Sequence, residues 1–571
     1  MAEHFVLGSS IETALSRGER NGALHSFDML GEGACTHADA QRYFDAYCHA
    51  ARSIGASSRK RGSAGENGLS IKLSALHPEY SWAKRRECVP ALISRIVALA
   101  EIARSNGIGI TIDGEEADRL EISLLIFDEL ITHPVLDGWD GLGIVVQAYG
   151  RRASAAIDHI TMATRAAGRR IAVRLVKGAY WDAEIKRAQA MGLDSYPVFT
   201  RKEHTDISYL ACARQLMNAT DVVYPQFATH NAHTAAAICA MAQPGSAFEF
   251  QRLHGMGEAL HHRIAAATGI ASRVYAPVGR HKELLPYLVR RLLENGANSS
   301  FVNQLMNPDL PIDDLVRDPI VTARQHGFSP NPAIPAPRDM FGGTRQLAHG
   351  MDVTQAHVAQ FAETLPGAVA DLQAGQAGSG TVMPVHNPAR HGDIVGHVIG
   401  ATPADVDAAI ARAAASRWGG ETCPLQRSAI LHRIADALEA QMPQLMGICV
   451  REAGKSLPDA VDEVREAEGQ AEMGGQCRAV VARSQQPDVG RRLAGRLGHD
   501  SGAFMVQRQR VVQPGDEVAH LVGILLGIAP VGLAVGQDAH RVLVAARGTT
   551  DADVDAAGKK SLQHAEVLGH L

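Results

Sequence analysis

Between residues 26 and 277, short apolar runs alternate with stretches of helical periodicity, and this alternation restricts the chain to an α/β architecture. The runs that read as strands are Ser26–Leu30, Leu69–Leu76, Ile108–Asp113, Leu142–Tyr149, Ile171–Lys177, Val222–Thr229, Phe248–Leu253 and Arg273–Pro277. Helical patterns separate them at Val89–Ser105, Glu116–Thr132, Ala153–Ala167, Ser208–Asn218 and Thr234–Ala242. Eight such units over roughly 270 residues suit a closed parallel (β/α)8 barrel in size and order. An open doubly wound sheet is the alternative. No GxGxxG opens any of these helices, which counts against a dinucleotide-binding sheet.

In a barrel, chemistry sits where strands end and loops begin. The polar residues of this chain collect at those places. Glu32 follows strand one, Lys72 lies in strand two, and Asp113 with an acidic Gly-Glu-Glu follows strand three. Gln147 ends strand four, Arg174 and Lys177 lie in strand five, and Thr229, His230 and Asn231 end strand six. His254 follows strand seven and Tyr275 sits in strand eight. A barrel stabilised by packing alone would fill this space with Val, Ile and Leu, so the convergence points to a site.

After strand eight comes one more helix, within Tyr275–Phe301, placed to lie over the rim. Tyr287, Arg290, Arg291 and Glu294 fall three and four apart and share a face. Two arginines preceding a glutamate run against the order favoured by the helix dipole. Adjacent guanidinia repel unless an anion lies between them, so the pair suits a small carboxylate held bidentately, with Glu294 fixing one guanidinium. The alternative is a solvated face. Lys72, Arg290 and Arg291 together give three cations for such an anion.

No Ser-His-Asp order, HExxH or metal-ligand cluster is evident, so an organic cofactor is expected to carry the chemistry. In VKGAYWD, Val176 to Asp182, small residues stand beside aromatic ones, which suits a flat ring system. The net charge of −5 and the lack of a basic domain give nucleic-acid binding no electrostatic support. Eight scattered cysteines without a CxxC read as reduced thiols of a cytoplasmic protein, and no signal peptide is apparent. The apolar stretch 521–536 is short, Gly-rich and broken by Pro530, and reads as non-spanning. From the residues alone, the expectation is a barrel enzyme with an organic cofactor and a carboxylate substrate.

The motifs SFDMLGEGA, IKLSALHPEY, TIDGEEADRLE, RLVKGAYWD, TRKEHTD, YPQFATHNAHT, EFQRLHGMGEAL and YAPVGRHKELLPYLVRRLLENGANSSF carry a resemblance. Over about residues 20–305 the chain resembles the proline dehydrogenase barrel of the proline utilization A family, bifunctional bacterial flavoenzymes of proline catabolism. One departure is Gly114, where the family more often has Ala. The resemblance implies that Arg290, Arg291 and Lys72 grip the proline carboxylate, that Glu32 pairs with Arg290, and that Tyr275, Tyr287 and Leu253 shape the space around the ring. It implies FAD across the C-terminal rim. Arg174 and Gln147 would approach the isoalloxazine, and Val176, Gly178, Ala179, Tyr180 and Trp181 would pack beside it. Thr229, His230, Asn231 and Glu294 would hold the remainder, with Asp113 in the inner shell. The implied reaction is hydride transfer from proline C5 to the flavin, giving Δ1-pyrroline-5-carboxylate. The implied electron acceptor is a membrane quinone, met by a cytoplasmic enzyme at the surface of the inner membrane. The number of subunits is left open.

A second resemblance begins near Val382. VHNPARHGDIVGHVIG and RSAILHRIADALEAQMPQLMGICVREAGKSLPDAVDEVREAE are similar to the N-terminal part of aldehyde dehydrogenases. In the family, that part oxidises glutamate semialdehyde with NAD. The expected division is a helical lead over 1–25, the barrel over 26–305, a connecting segment over 306–381, an incomplete aldehyde-dehydrogenase-like α/β segment over 382–466, and a weakly ordered tail over 467–571. Neither the nucleotide-binding turn nor the catalytic Cys and Glu of that second enzyme is recognisable, and Cys477 comes too early to serve. Two other readings stay open: a non-catalytic remnant of the bifunctional protein, and a barrel aldolase with Lys72 or Lys177 as Schiff base.

Overall fold

Residue identity alternates along the barrel strands, and the fold follows from it. In a computed structural model, the described residues are 5–21, 23–57, 67–280, 285, 287–290, 311, 316–342, 345–368, 372–374 and 378–484. Eight parallel strands close in sequence order: β1 Leu24–Asp28, β2 Gly68–Ile71, β3 Gly109–Ile112, β4 Leu142–Gln147, β5 Ile171–Val176, β6 Val223–Ala228, β7 Glu249–Leu253 and β8 Ser272–Pro277. Pairing of Leu24 through Asp28 with Arg273 through Pro277 completes the ring. The open doubly wound sheet is thereby excluded.

One parity of each strand faces outward. Phe27, Leu69, Ile71, Ile110, Ile112, Ile144, Val173, Leu175, Phe227 and Phe250 are buried against the surrounding helices. Those helices answer with Tyr47, Ile54, Leu92, Ile96, Phe127, Ile157, Tyr209 and Leu216. Each fully buried large apolar side chain contributes roughly 1.5–3 kcal/mol, so this layer holds the barrel together. The other parity faces the lumen and is polar. Arg174 on β5 donates to Ser26 on β1 and to Ser70 on β2, contacts that only a path across the lumen allows.

Some boundaries differ from the sequence reading. The run expected as one strand over Leu69–Leu76 is a strand ending at Ile71 and a one-turn helix over Leu73–Leu76. All four residues of that turn are buried, and a short apolar run buried on every side has no period to separate strand from helix. Lys72 and Lys177 therefore follow their strands and stand at the rim. Ahead of β1 lies the helix Ile11–Asn21. Before it, Leu7 N–H donates to Pro277 O at the end of β8.

The stretch after the barrel is fastened to it in part. Arg201 Nε donates to Ser329 O, Tyr196 OH to Pro335 O, and Asn331 N to Thr200 Oγ1. By internal contacts the chain forms two units, Met1–Phe361 and Ala362–Leu571.

In the second unit, Leu372–Ala374, Val382–Asn387 and Arg390–Ile399 form a three-stranded sheet with the last strand in the centre. The helix Pro403–Ala415 opens with a capping box made by Thr402 and Asp405. Two helices follow, Pro424–Ala440 and Met442–Ala453. Pro443 lacks an N–H for the ladder and takes a first-turn position in the second. A long helix, Leu457–Ser484, carries buried Ala460, Val461, Val464 and Ala471, and Gly475 O accepts from Ser428 Oγ. The boundary expected at residue 467 falls inside this helix. Residues 485–571, including the apolar stretch 521–536, lie outside the described residues. Among the described residues no helix is long and apolar enough to cross a membrane.

Candidate active site

Strand parity places four expected residues and one unexpected one around a single point at the C-terminal rim. Lys72 Nζ donates to Asp113 Oδ2 at 3.1 Å and to Asp28 Oδ1 at 3.0 Å. Arg174 Nη1 donates to Asp113 Oδ1 at 3.0 Å, and its guanidinium lies 5.2 Å from the Tyr275 ring centre. Tyr275 OH lies 2.8 Å from both Asp28 Oδ2 and Asp113 Oδ2. Below them, Ser26 and Ser70 hydroxyls meet at 3.0 Å and accept from Arg174. Lys72, Asp113, Arg174 and Tyr275 were legible in the sequence. Asp28, Ser26 and Ser70 were missed, although all three share the inward parity of their strands.

The cluster is buried, and burial sets its electrostatics. Burial alone would push the Lys72 ammonium down, but Asp28, Tyr275 and Asp113 outweigh it and hold the lysine well above its ordinary range. The Tyr275 phenol is also raised, by burial first and then by the two aspartates. A firmly protonated Lys72 is a poor nucleophile, and Lys177 is ion-paired with Asp206. Neither lysine is set up as a Schiff base, so the aldolase reading has no support here. Among the described residues no group of His, Cys, Asp and Glu is placed to hold a metal ion.

Above the cluster, Arg290 reaches back to the loop after β1. Its two terminal nitrogens donate to Glu32 at 2.6 and 2.7 Å, a bidentate pair, and its guanidinium lies 4.9 Å from the Tyr180 ring centre. Burial raises the Glu32 carboxyl, but the Arg290 hydrogen bond overrides this and the net shift is downward. Tyr287 is buried with Val6 and Leu30, against Tyr275 and Leu288. Leu253 stands opposite Tyr275 in the β7–β8 register. Arg291 and Glu294 lie outside the described residues.

The remaining expected residues line strand ends nearby. Gln147 Nε2 donates to Glu115 O at 2.6 Å. A Cβ on Gly114 would come within 3.1 Å of that same nitrogen, so the glycine lets Gln147 settle close to the turn. Val176 ends β5, and Gly178 follows with φ 137. A Cβ there would meet the Tyr149 ring at 2.4 Å, which is why only glycine serves. Ala179, Tyr180 and Trp181 pack with Tyr149 and Tyr196, and Trp181 Nε1 donates to Phe199 O. After β6, Thr229 Oγ1 accepts from Asn231 N, Asn231 Oδ1 caps the next helix through Thr234 N, and His230 Nε2 accepts from Leu253 N.

These residues fit a flat, acceptor-rich heterocycle. Arg174 Nε is buried without a hydrogen-bond partner, a donor held in reserve inside an otherwise paired cluster. On the neighbouring strand Gln147 stands opposite Val176, and the aromatic cluster of Tyr149, Tyr180 and Trp181 follows β4 and β5. A cationic rim of this kind can also orient a small carboxylate by charge-assisted hydrogen bonds.

Comparison with known proteins shows the family to which the chain belongs. Residues 11–304 match the proline dehydrogenase family, and residues 375–488 match the aldehyde dehydrogenase family. The bifunctional protein PutA of Escherichia coli K12 is 48% identical over 497 residues, covering 82% of this chain and 37% of that protein. PutA of Rhizobium meliloti is 45% identical over 486 residues, covering 82% of this chain and 39% of that protein. The crystal structure of a proline utilization A variant from Bradyrhizobium japonicum superposes with a TM-score of 0.74 at 43% identity. It covers 83% of this chain and 46% of that one. The chain thus spans less than half the length of these relatives.

Proposed function

Because this chain belongs to the proline dehydrogenase family and carries its barrel in the PutA order, with an aldehyde-dehydrogenase-like segment behind it, we propose that it oxidises L-proline to Δ1-pyrroline-5-carboxylate using FAD. The observation that carries this reading is the rim cluster of Lys72, Asp28, Asp113, Arg174 and Tyr275 beneath the Arg290–Glu32 pair. Lys72, with Arg290 and Arg291, takes the substrate carboxylate. Tyr275, Tyr287 and Leu253 bound the space for the ring. Fixing the carboxylate fixes the reacting carbon, so positioning supplies much of the rate. Proline reacting with its nitrogen unprotonated asks for no strong protein base.

Arg174, Gln147, Val176, Gly178, Ala179, Tyr180, Trp181, Thr229, His230, Asn231, Glu294 and Asp113 are the residues that would hold the cofactor. FAD, when bound, supplies the two-electron acceptor. A membrane quinone is the partner that takes the electrons onward, at the surface of the inner membrane. In the 571 residues of this chain we recognise no nucleotide-binding turn or catalytic cysteine of an aldehyde dehydrogenase, and NAD-dependent oxidation of the product is not assigned to it.

Two measurements test the reading. Purified protein should show a flavin spectrum that L-proline bleaches under anaerobic conditions. A colourless, soluble protein that leaves proline unchanged when supplied with FAD would favour the non-catalytic remnant instead. Arg291→Met should raise KM for proline about tenfold or more with FAD content unchanged, since a charge-assisted contact is worth about 1.5–3 kcal/mol. An unmoved KM would remove Arg291 from the carboxylate clamp.

A further inference from the structure

Tyr275 and the two rim aspartates pose a proton-counting problem. The phenol oxygen lies 2.8 Å from a carboxyl oxygen of Asp28 and 2.8 Å from one of Asp113, yet a phenol has a single proton to donate. Were both aspartates ionised, one of these short contacts would press two acceptors together with no hydrogen between them. Lys72 does not resolve this, because its ammonium points to Asp28 Oδ1 and Asp113 Oδ2 and reaches the phenol only at 3.5 Å. The extra proton must sit on an aspartate.

Asp113 is the poorer host. It accepts from Arg174 on Oδ1 and from Lys72 and Tyr275 on Oδ2, so both its oxygens are already met by donors. Asp28 accepts from Lys72 on one oxygen alone, which leaves Oδ2 to carry a hydrogen. We infer that Asp28 is a neutral carboxylic acid that donates to Tyr275, which in turn donates to Asp113, and that Asp28 acts as a positioning residue for the carboxylate site. Its surroundings agree. Burial raises the Asp28 carboxyl and the charge of Asp113 raises it further, against the opposing pull of Lys72. Facing it are Lys72 after β2, Asp113 after β3 and Tyr275 on β8, with Tyr47 of the helix His37–Ser57 and Arg290 farther out.

The charge of the rim follows. Lys72 and Arg174 bring two cations and Asp113 one anion, so a neutral Asp28 leaves one positive charge uncancelled beneath the substrate. Ionisation of Asp28 would cancel it. The cluster thus favours an anionic ligand below the Asp28 titration and loses that preference as pH rises through it. The inference rests on the rim being the proline carboxylate site, and its test has one arm that does not depend on turnover.

The test compares Asp28→Asn and Asp28→Ala in the full-length, flavin-loaded protein. Asparagine offers Lys72 an acceptor and Tyr275 a donor, as the neutral acid does. Asp28→Ala should lower kcat/KM about tenfold or more by taking from Tyr275 and Lys72 one of their two carboxyl partners and leaving only Asp113, and Asp28→Asn should recover most of that loss. KM for proline should rise with alkaline pH in the wild type, with kcat moving less, and this rise should vanish in Asp28→Asn. Infrared difference spectra of wild type against Asp28→Asn should reveal the carbonyl stretch of a buried, protonated carboxylic acid. Equal losses in the two variants, an alkaline rise that survives in Asp28→Asn, or no such carbonyl band would each overturn the proposal. A wild type that ignores proline would instead refute the functional reading, and the infrared band would still decide the protonation of Asp28.

Discussion

The barrel holds two buried polar clusters, one at each end of its lumen, and they are built on opposite plans. At the floor, Arg273 Nε and Nη2 donate to the two oxygens of Glu249 at 2.7 and 3.0 Å. Gln226 and Gln251 add donors to the same carboxylate at 2.9 and 2.8 Å. One cation meets one anion, and the groups left over are acceptors, the Oε1 atoms of both glutamines. At the rim, two cations and two aspartates share one phenol, and the group left over is a donor, Arg174 Nε. The floor is closed on itself. The rim leaves a hydrogen-bond donor unspent and, with Asp28 neutral, one positive charge as well. Buried polar groups in one lumen therefore carry different meanings, and the deciding feature is whether the donors and charges close among themselves.

Removing a cation from each end should separate the two plans. Arg273→Met strands Glu249 at 1% side-chain exposure with its charge uncompensated. Breaking a buried pair in this way costs about 3–5 kcal/mol, while replacing both partners with apolar residues is often close to neutral. Denaturant unfolding should show a loss of that size for Arg273→Met, largely recovered in Arg273→Met with Glu249→Leu. A single variant as stable as wild type would mean that the floor pair does not hold the lumen.

Lys72→Met is the counterpart at the rim and should reverse the pattern. With Asp28 neutral, Arg174 still balances Asp113 after the lysine is gone, so the stability loss should be smaller than at the floor. Activity should suffer more. We expect kcat/KM for proline to fall about 100-fold, equivalent to roughly 2.7 kcal/mol of transition-state stabilisation. If Lys72→Met unfolds the protein as readily as Arg273→Met while leaving kcat/KM intact, the two clusters are of one kind and the comparison collapses.

The two ends also differed in how well the sequence announced them. Lys72, Asp113, Arg174 and Tyr275 stand out because each lies near a strand end, where a barrel does its chemistry. Asp28 lies as near, but in SFDML it reads as one acid in an apolar strand. Counting by two from Ser26 would have turned it inward. The Glu249–Arg273 pair could not be read from spacing, since it depends on the adjacency of β7 and β8 in the closed ring. All eight strands lay where alternation and β-branched runs placed them. What blurred was their ends, as at Lys72, where a buried run turned from strand to helix without a change in hydrophobicity. The second unit was legible in type, and Pro443, which lacks an N–H for the ladder, stands in the first turn where one helix gives way to the next.

The smallest effect should come from the loop that joins the rim to its surroundings, residues 113–119. Glu115 Oε2 accepts from Ser74 N at 3.1 Å, and Glu184 Oε1 accepts from Ala117 N at 2.6 Å, so two buried carboxyls pin the loop from opposite sides. Burial pushes both up to about 7. A carboxyl raised in the folded state contributes stability that is complete below its unfolded value and is lost as pH rises through the folded one. Stability should therefore decline from about pH 4.5 and level off soon after pH 7, as the two glutamates are forced to ionise in place. The doubly substituted Glu115→Gln, Glu184→Gln protein should show a flatter profile over the same range, with KM for proline close to wild type. That last point is what sharpens the contrast with Asp28, whose ionisation should appear in KM. Should the double substitution instead remove the alkaline rise in KM, the titration would belong to the loop and not to the cluster beneath the substrate.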